Sequence, residues 1–325
     1  MLITGAAGFI GGYLADHLVE MGFSVRGLVR SAAAARALEE RGIRAMIGDL
    51  RYPETLVAAA DGCRTVYHCA GWTGAPFTWE AAFEANVVGT RHLAEACLRS
   101  EVQRLVHLSS LAVYGPTTAA SIDERAPLWP LGPYRGSKIA GEREIEIAAG
   151  RGLHTVILRP GRVFGPGDRR VAGRTLRRLW YGVPLVVDAG QGFCHPVYIR
   201  NLTDAVVAAG MLDDARGGTF NVADGDVTWR DFFGHYARMA ARPLRSAPSW
   251  AVRATAAASE AWARLMNRPA CMPRDELPCL LRRSHVSTAR IRAALGWTPR
   301  VPLDLAMRET EAWLRRTALL PTPVR

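Results

Sequence analysis

The chain has 325 residues, 49% of them hydrophobic and 22% charged, a composition typical of a globular protein with enough apolar material for a large core. Its formal net charge is +11, but the arginines are scattered and no helix-turn-helix, zinc-finger or RNP pattern accompanies them, so we expect no nucleic-acid partner. No apolar run approaches the roughly 18 residues of a membrane span, and no CxxC pair or His/Cys cluster has zinc spacing, so we expect no integral membrane segment and no metal.

Short β-branched runs alternate with helical patterns through the first two thirds of the chain. They predict strands at 2–4, 24–29, 43–47, 65–69, 104–109 and 154–159, and helices near 9–21, 32–41, 79–99 and 136–150. Because each parallel crossover needs a helix, this order predicts an α/β fold with a doubly wound parallel sheet. Beyond the sheet, the patterns predict helices near 171–181, 201–211, 228–240, 248–266, 287–295 and 302–316.

A glycine-rich loop joins the first predicted strand to the first helix. In "ITGAAGFIGG", Gly5, Gly8 and Gly11 allow a tight turn and a close approach of the backbone to a pyrophosphate, and Phe9 and Ile10 open the helix. The free N–H groups and the dipole of a helix N-terminus favour an anion. Since the motif follows an apolar strand and precedes an amphipathic helix, it predicts a dinucleotide site.

The end of the second predicted strand bears on the choice of dinucleotide. Enzymes that use NAD place an acidic residue there to bind the ribose diol, whereas an arginine suits a 2′-phosphate. This chain has Val29 at that place and Arg30 next. We therefore expect NADP(H) to be preferred over NAD(H).

Lys138 is the only lysine among 41 basic residues. It lies four residues after Tyr134 at the start of a predicted helix, so both side chains share one face. A phenol has an unperturbed pKa of about 10, and an adjacent cation lowers it. A compact ammonium can reach ribose hydroxyls and the phenol together, whereas a guanidinium is a planar fork. The pair predicts a general acid or base at Tyr134.

The chain resembles the extended branch of the short-chain dehydrogenase/reductase superfamily, of the NAD-dependent epimerase/dehydratase type, nearly from end to end. The resemblance rests on the TGxxGxxG spacing of the glycine loop and on six further segments in order. These are "GDL" (48–50), "VYHCAG" (66–71), "NVVGT" (86–90), "LSSLAVYG" (108–115), "PYRGSK" (133–138) and "LRPGRVFGPGD" (158–168).

The resemblance implies roles for individual residues. It implies that Tyr134 is the acid or base, that Ser110 fixes the reacting oxygen, and that Lys138 holds the nicotinamide ribose and tunes Tyr134. Adenine would contact Asp49 and Leu50. Further cofactor contacts are implied for Ala70, Gly71, Asn86, Ser109, Pro160 and Val163. The fold implied is a Rossmann domain over residues 1–165, to which segments near 195–225 return, with a smaller, mainly helical substrate region at 166–194 and 226–325.

Two site segments narrow the reaction. Leu111 and Ala112 stand where sugar-nucleotide dehydratases carry an acidic pair, and Cys194 and His195 stand where sugar-nucleotide enzymes tend to carry an Arg-Asp step. The segments 195–206 and 281–314 look most like the 3β-hydroxysteroid dehydrogenase group. That resemblance implies a small-molecule substrate with a ketone or secondary alcohol on a bulky, apolar frame.

Several assignments remain open at this stage. His195 and Tyr198 are candidates for the substrate pocket, with a structural role as the alternative for His195, and His68, His107 and His154 are expected in the core. A sugar-nucleotide epimerase, with Arg174 or Arg177 binding a diphosphate, and a cofactor-binding sensor without turnover are the alternative functions. We expect a cytoplasmic protein, and the family implies a homodimer formed through the helices at 79–99 and 136–150.

Overall fold

A seven-stranded parallel sheet forms the centre of the computed structural model, which describes residues 1–73, 78–266 and 276–320. The strands are β1 (Leu2–Thr4), β2 (Arg26–Val29), β3 (Arg44–Ile47), β4 (Thr65–His68), β5 (Arg104–Leu108), β6 (Ser121–Ile122), β7 (His154–Pro160), β8 (Arg162–Phe164), β9 (Val186–Val187), β10 (Pro196–Tyr198), β11 (Thr219–Val222), β12 (Ser246–Ala247) and β13 (His285–Val286). The central sheet has the order β11-β7-β5-β4-β1-β2-β3, and the other strands form three two-stranded pairs.

Helices cover both faces of this sheet. They are α1 (Phe9–Glu20), α2 (Ala32–Glu39), α3 (Pro53–Ala60), α4 (Trp79–Phe83), α5 (Gly89–Arg99), α6 (Pro133–Gly150), α7 (Arg169–Trp180), α8 (Ile199–Met211), α9 (Trp229–Met239), α10 (Ser249–Leu265), α11 (Glu276–Leu281), α12 (Ala289–Leu295) and α13 (Leu303–Arg316). A π-helical turn at Glu84–Val88 joins α4 to α5. In the described part of the chain, no helix has both the length and the apolarity needed to cross a membrane.

Alternation along the strands divides the core into two layers. Ile3 of β1 and Val106 of β5 pack with α1 and α8, whereas Leu2 of β1 and Leu105 of β5 pack with α3, α5 and α6. Every residue of β4 and β5 is buried, as expected for strands covered on both faces. The C-terminal half adds a separate core among α7, α9 and α13.

The predicted doubly wound sheet is confirmed, and its six predicted strands are present: β1 has the expected bounds, β7 is one residue longer, and the other four are one or two residues shorter. The sequence patterns missed α3, and they gave β11 no separate element. The predicted helix at 79–99 is interrupted by the π-helical turn, and α6 begins at Pro133, three residues before the expected start. His154, expected in the core, is exposed because it is the first residue of β7, whereas His68 and His107 are buried.

Candidate active site

The strand order reverses between β1 and β4, and ligands of doubly wound sheets bind at such a point. The two loops that follow these strands touch. Gly5 has φ +71°, and a Cβ there would lie 2.8 Å from the Ala70 nitrogen. The Thr4 hydroxyl accepts a hydrogen bond from the Ala70 N–H (3.2 Å) and is bonded to His68 Nδ1 (2.8 Å), which ties the loops together.

The glycine loop leads directly into α1. A Cβ at Gly11 would lie 2.3 Å from the Gly5 carbonyl oxygen, so the loop folds back on the helix only because both residues lack side chains. Gly8 is the N-cap and offers no side-chain acceptor, and no acidic residue occupies the first turn. The first-turn amides of α1, including those of Phe9 and Ile10, therefore face the crevice without an intrahelical acceptor, which suits a pyrophosphate.

The adenosine end of the crevice carries two arginines. Arg30 is exposed at the end of β2, directly after the buried Val29. Arg51 donates to the Asp49 carboxylate through its backbone N–H (3.0 Å) and its guanidinium (2.9 Å), and this hydrogen-bonded pair lowers the pKa of Asp49. Arg51 was not predicted from the sequence, although its place directly after "GDL" is the signal that could have found it.

Leu50 and Asn86 are positioned by the π-helical turn and its flanks. The carbonyl of Leu50 accepts from His92 Nδ1 (2.8 Å), and Gly89 lies against the Leu50 side chain. Asn86 Oδ1 accepts from the Trp72 N–H (2.7 Å), while its Nδ2 donates to the Trp72 carbonyl (3.2 Å) and to the Ser137 hydroxyl (2.9 Å). Such single π-turns are frequent at functional sites. Here the turn links the loop after β4 to α6.

Lys138 lies inside this arrangement and is 6% exposed. Its Nζ donates to the carbonyl of Leu108 (2.8 Å), the last residue of β5. A Cβ at Gly71 would lie 3.2 Å from Nζ and 3.1 Å from Asn86 Oδ1, so the glycine keeps space open beside both groups. Burial lowers the pKa of Lys138 to about 8, and the nearby Glu142 opposes that shift. The amine is therefore mostly protonated near neutral pH and loses its proton only slightly above it.

Tyr134 and Ser110 meet at the end of β5. Burial raises the pKa of Tyr134, and a hydrogen bond with Ser110 and the charge of Arg170 oppose the increase. The sequence predicts that Lys138 lowers this pKa. In the protein without a ligand, however, burial has the larger effect on the pKa, and the cation that interacts with the phenol is Arg170. Arg170 donates to the Thr73 hydroxyl from the first turn of α7. No spacing rule in the sequence pointed to it, because α7 is remote in the chain.

The remaining predicted cofactor residues line the same edge. Ser109 is 4% exposed, and its hydroxyl has no hydrogen-bond partner among the described residues. An orphaned buried hydroxyl beside Lys138 fits a ligand that supplies the missing partner. Pro160 ends β7, and Val163 lies half-buried in β8. Together with the glycine loop, these residues fit a nicotinamide dinucleotide.

A buried ion pair holds α6 against the sheet. Glu142, one turn after Lys138, receives two hydrogen bonds from Arg159 of β7, at 3.0 and 2.6 Å. Arg159 also donates to the Tyr114 hydroxyl (2.8 Å). The two charged side chains are 2% and 6% exposed. Glu142 lies four residues after Lys138, and this spacing is the sequence signal that could have identified it.

The structure places His195 and Tyr198 in contacts with the protein itself. His195 is 2% exposed; its Nε2 is bonded to the Ser284 carbonyl (2.9 Å), and burial lowers its pKa to about 4. Tyr198 is fully buried and donates to the Glu309 carboxylate. The geometry favours the structural alternative for His195 and gives no support to a substrate contact from either residue.

Comparison with known proteins agrees with this geometry. A family model described as the NAD dependent epimerase/dehydratase family matches residues 1–223. A 4-hydroxy-2-methyl-3-oxo-4-farnesyl-3,4-dihydroquinoline-1-oxide ketoreductase from Stigmatella aurantiaca is 32% identical over 216 residues, covering 64% of this chain and 63% of that protein. A 3 beta-hydroxysteroid dehydrogenase/Delta 5-->4-isomerase from Mycobacterium tuberculosis is 30% identical over 221 residues, covering 64% and 59%.

A solved structure extends the likeness over the whole chain. MoeE5 in complex with UDP-glucose and NAD matches with a TM-score of 0.77 and 25% identity, over 98% of this chain and 99% of that chain. The matched segments span about three fifths of the length of the two curated relatives. The family model thus covers residues 1–223, whereas the likeness in fold covers nearly the whole chain.

Proposed function

Because the chain belongs to the NAD-dependent epimerase/dehydratase family of extended short-chain dehydrogenase/reductases, we propose that it is an NADP(H)-dependent oxidoreductase. Its reaction interconverts a ketone and a secondary alcohol on a bulky, apolar substrate. One observation carries the proposal: Tyr134 is hydrogen-bonded to Ser110 on the helix face that also presents Lys138, at the carboxyl end of β5. A proton donor, a carbonyl-orienting hydroxyl and a ribose-binding cation thus meet at the switch point.

Each residue of this set has a separate task. When bound, the nicotinamide cofactor supplies or accepts the hydride. Ser110 orients the substrate oxygen, and Tyr134, whose raised pKa keeps it protonated near neutrality, donates a proton to that oxygen during reduction. Lys138 binds the ribose hydroxyls, with the Leu108 carbonyl fixing its Nζ. Ser109 offers a free hydroxyl beside them.

The apolar substrate is supported by the residues around the catalytic set. The residue after Ser110 is Leu111, which is 4% exposed. Because leucine carries no carboxylate, this position cannot assist an elimination. Cys194 is buried, and His195 is occupied by protein contacts, so neither provides a diphosphate anchor. Two relatives whose names describe a ketoreductase and a hydroxysteroid dehydrogenase support the same substrate class.

The test is NADPH oxidation with a panel of sterol, aromatic and alkyl ketones. We expect turnover with at least one bulky apolar ketone and a loss of at least a hundredfold in Tyr134→Phe, which lacks the proton donor. The Tyr13→Phe variant, which removes a hydroxyl outside the site, is the control. No hydride transfer with any ketone, or equal rates in Tyr134→Phe, would refute the proposal.

A sugar-nucleotide epimerase is the second candidate, favoured by the full-length likeness to MoeE5. Arg174 and Arg177 are exposed on α7 and could meet a diphosphate. Stabilisation of the protein by UDP- or GDP-sugars in a thermal-shift assay would favour this candidate, and stabilisation by NADPH alone would favour the first.

The preference for NADP(H), the homodimer and the cytoplasmic location belong to the same proposal. Arg30, exposed beside the buried Val29, supports the cofactor preference. Exposed apolar residues on α4 and α6, among them Phe83 and Ile147, support a paired surface.

A further inference from the structure

Exposed aromatic residues and arginines occur on two chain segments that pair beyond the end of α7, the segment after α7 and the segment that leads into α10. Tyr181 is 79% and Trp250 72% exposed, and Trp180 and Val183 are also exposed. We call the surface formed by Arg178, Trp180, Tyr181, Arg245, Trp250 and Arg253 the Trp–Arg face. Large exposed aromatic side chains of this kind mark interaction surfaces when they cluster.

Two chain segments are joined to form this face. Strands β9 and β12 pair in parallel, and Leu185 donates to the Arg245 carbonyl (3.1 Å). The Arg245 guanidinium carbon would lie 3.1 Å from a Cβ at Gly182, so its side chain lies over the turn that carries Tyr181. Ser249 donates to the Asp188 carboxylate (2.8 Å), which fixes the start of α10 and with it Trp250.

The charge of these two segments has one sign. Residues 169–187 contain five arginines and residues 232–259 contain four, and neither segment contains an aspartate or glutamate. The nearest acidic groups are occupied: Asp168 caps α7 and Asp188 accepts from Ser249. The guanidinium of Arg178 donates to the Pro184 carbonyl, and burial and the like charge of Arg174 lower its pKa. The Asp188 carboxylate interacts with Arg253, but the nine arginines of the two segments outnumber the acidic groups beside them, so the face keeps a net positive charge.

These features identify the occupant. A second copy of the chain would bring like charges together, so self-association at this face is opposed. Trp and Tyr side chains prefer the headgroup level of a bilayer, and surrounding arginines are attracted to anionic lipids. The apolar Val183 is exposed beside Tyr181. Its burial would stabilise binding to a bilayer but would not stabilise binding to nucleic acid.

We propose that the Trp–Arg face docks this protein on the surface of a membrane rich in anionic lipid, without crossing it. The position of the face relates to the active site. Helix α7 has 12 residues, a length of about 18 Å, and runs from Arg170 near Tyr134 to Trp180. Docking would bring the substrate region close to the membrane, in which apolar molecules dissolve. Docking itself requires no turnover, so its test is independent of the proposed reaction.

The experiment is co-sedimentation of the full chain with vesicles of phosphatidylcholine alone or of phosphatidylcholine with phosphatidylglycerol. We expect at least tenfold tighter binding to the anionic vesicles, and weakening in 1 M salt, where the screening length falls to about 3 Å. Two variants should each weaken binding at least tenfold. One is the triple variant Trp180→Ala/Tyr181→Ala/Trp250→Ala, and the other is the double variant Arg245→Gln/Arg253→Gln. Because these side chains are exposed, we expect both variants to fold, and circular dichroism checks this. If the first variant is misfolded, the binding of the second variant tests the proposal.

Matched controls remove equivalent side chains elsewhere. Phe23→Ala removes an exposed aromatic residue, and Arg64→Gln/Arg99→Gln removes two exposed arginines from the sheet domain; both should bind within twofold of the wild type. Failure to bind anionic vesicles would overturn the proposal. So would equal losses in the control variants, or tighter binding to duplex DNA or RNA that the same face variants abolish.

Discussion

Lys138 meets two requirements that arginine does not meet at this position. Its Nζ fits between the Leu108 carbonyl and the space beside Gly71, where a Cβ would already be 3.2 Å away. A planar guanidinium is larger than an ammonium and cannot give up its proton. The 40 other basic residues of the chain are all arginines, so this one position departs from the composition for a physical reason.

Lys138→Arg should reduce kcat/KM for ketone reduction at least a hundredfold, because the larger guanidinium displaces the ribose-binding geometry although the charge is kept. In the wild type, kcat/KM should fall as the pH rises through about 8, where the buried lysine loses its proton. Arginine stays charged, so the variant's residual activity should lack this decline. The measurement is a pH profile of NADPH oxidation, with Arg143→Lys on the exposed side of α6 as control.

Normal activity in Lys138→Arg would mean that only the charge matters. A wild-type profile without a decline between pH 7 and 9 would show that Lys138 does not titrate in the working enzyme.

Arg30→Ala should weaken NADPH binding at least tenfold and NADH binding less than twofold, because a guanidinium can pair with the 2′-phosphate that only NADPH carries. Fluorescence titration of both cofactors measures this difference. Arg36→Ala, an exposed arginine of the following helix, should change neither affinity. Equal losses for the two cofactors would remove the basis for the NADP(H) preference.

Residues close in sequence were predictable, whereas partners brought by the fold were not. Tyr134 and Lys138 follow from i,i+4 spacing, and Ser110 from its segment. Arg170 reaches the phenol from α7, and its contact with Thr73 depends on tertiary placement. His195 was ambiguous in sequence because a lone histidine suits a pocket or a core, and its bond to Ser284, 89 residues away, favours the core.

At the scale of elements, α6 carries Tyr134 and Lys138, the proposed catalytic pair, and is anchored by the Glu142–Arg159 ion pair. The pair is nearly fully buried and bidentate, so each charge depends on the other for solvation. Glu142 lies one turn beyond Lys138, and any movement of α6 relative to β7 displaces the catalytic side chains.

Arg159→Leu should lower the free energy of unfolding by about 3–5 kcal/mol, because it leaves the Glu142 carboxylate buried without its partner. Glu142→Leu/Arg159→Leu should lose less than Arg159→Leu alone, since no charge then remains buried. Urea unfolding measures both. The control is Arg91→Leu, which breaks a bidentate pair between Glu144 of α6 and the 52% exposed Arg91 of α5 and should cost about 1 kcal/mol or less. Equal losses at positions 159 and 91 would show that burial is not what makes the pair matter.

The elements that the patterns missed have identifiable causes. Helix α3 is only eight residues long and begins with proline, so its periodicity is too short to separate it from a loop. The π-helical turn at Glu84–Val88 has no compositional signal. Strand β11 joins the sheet through pairing with β7, and such long-range pairing leaves little trace in a four-residue run.

At the scale of the whole molecule, Asp224 links stability to pH. It lies half-buried two residues after β11, accepts from the Tyr198 N–H (2.7 Å), and desolvation raises its pKa to about 7. Between about pH 4 and 7 the folded protein therefore holds a proton that the unfolded chain releases. Its contribution to stability is fully present below the unfolded pKa and is lost as the pH rises through about 7.

Asp224→Asn should raise the free energy of unfolding by about 1–3 kcal/mol at pH 8 and leave it nearly unchanged at pH 4.5, because the amide imitates the neutral acid and never ionises. Thermal unfolding at both pH values measures the change. The exposed Asp61→Asn should have little effect at either pH. A gain at pH 4.5 equal to that at pH 8 would show that ionisation is not its cause.

The global architecture was the most predictable property, because the alternation of strands and helices and the glycine loop are local signals that agree with each other. The substrate was the least predictable. The C-terminal half is assembled from distant segments, among them 169–187 and 232–259, whose pairing through β9 and β12 no local sequence pattern indicates.

The solitary lysine also makes the protein an unusual target for acylating reagents. Position 138 has the only side-chain amine, so a label on an ε-amine can be assigned to it once the N-terminal amine is mapped separately, and a pKa of about 8 leaves part of this amine unprotonated under mildly basic conditions. A bound cofactor that occupies the ribose site would shield that amine. The extent of labelling of one atom would then report cofactor occupancy directly, in a mixture and without a substrate.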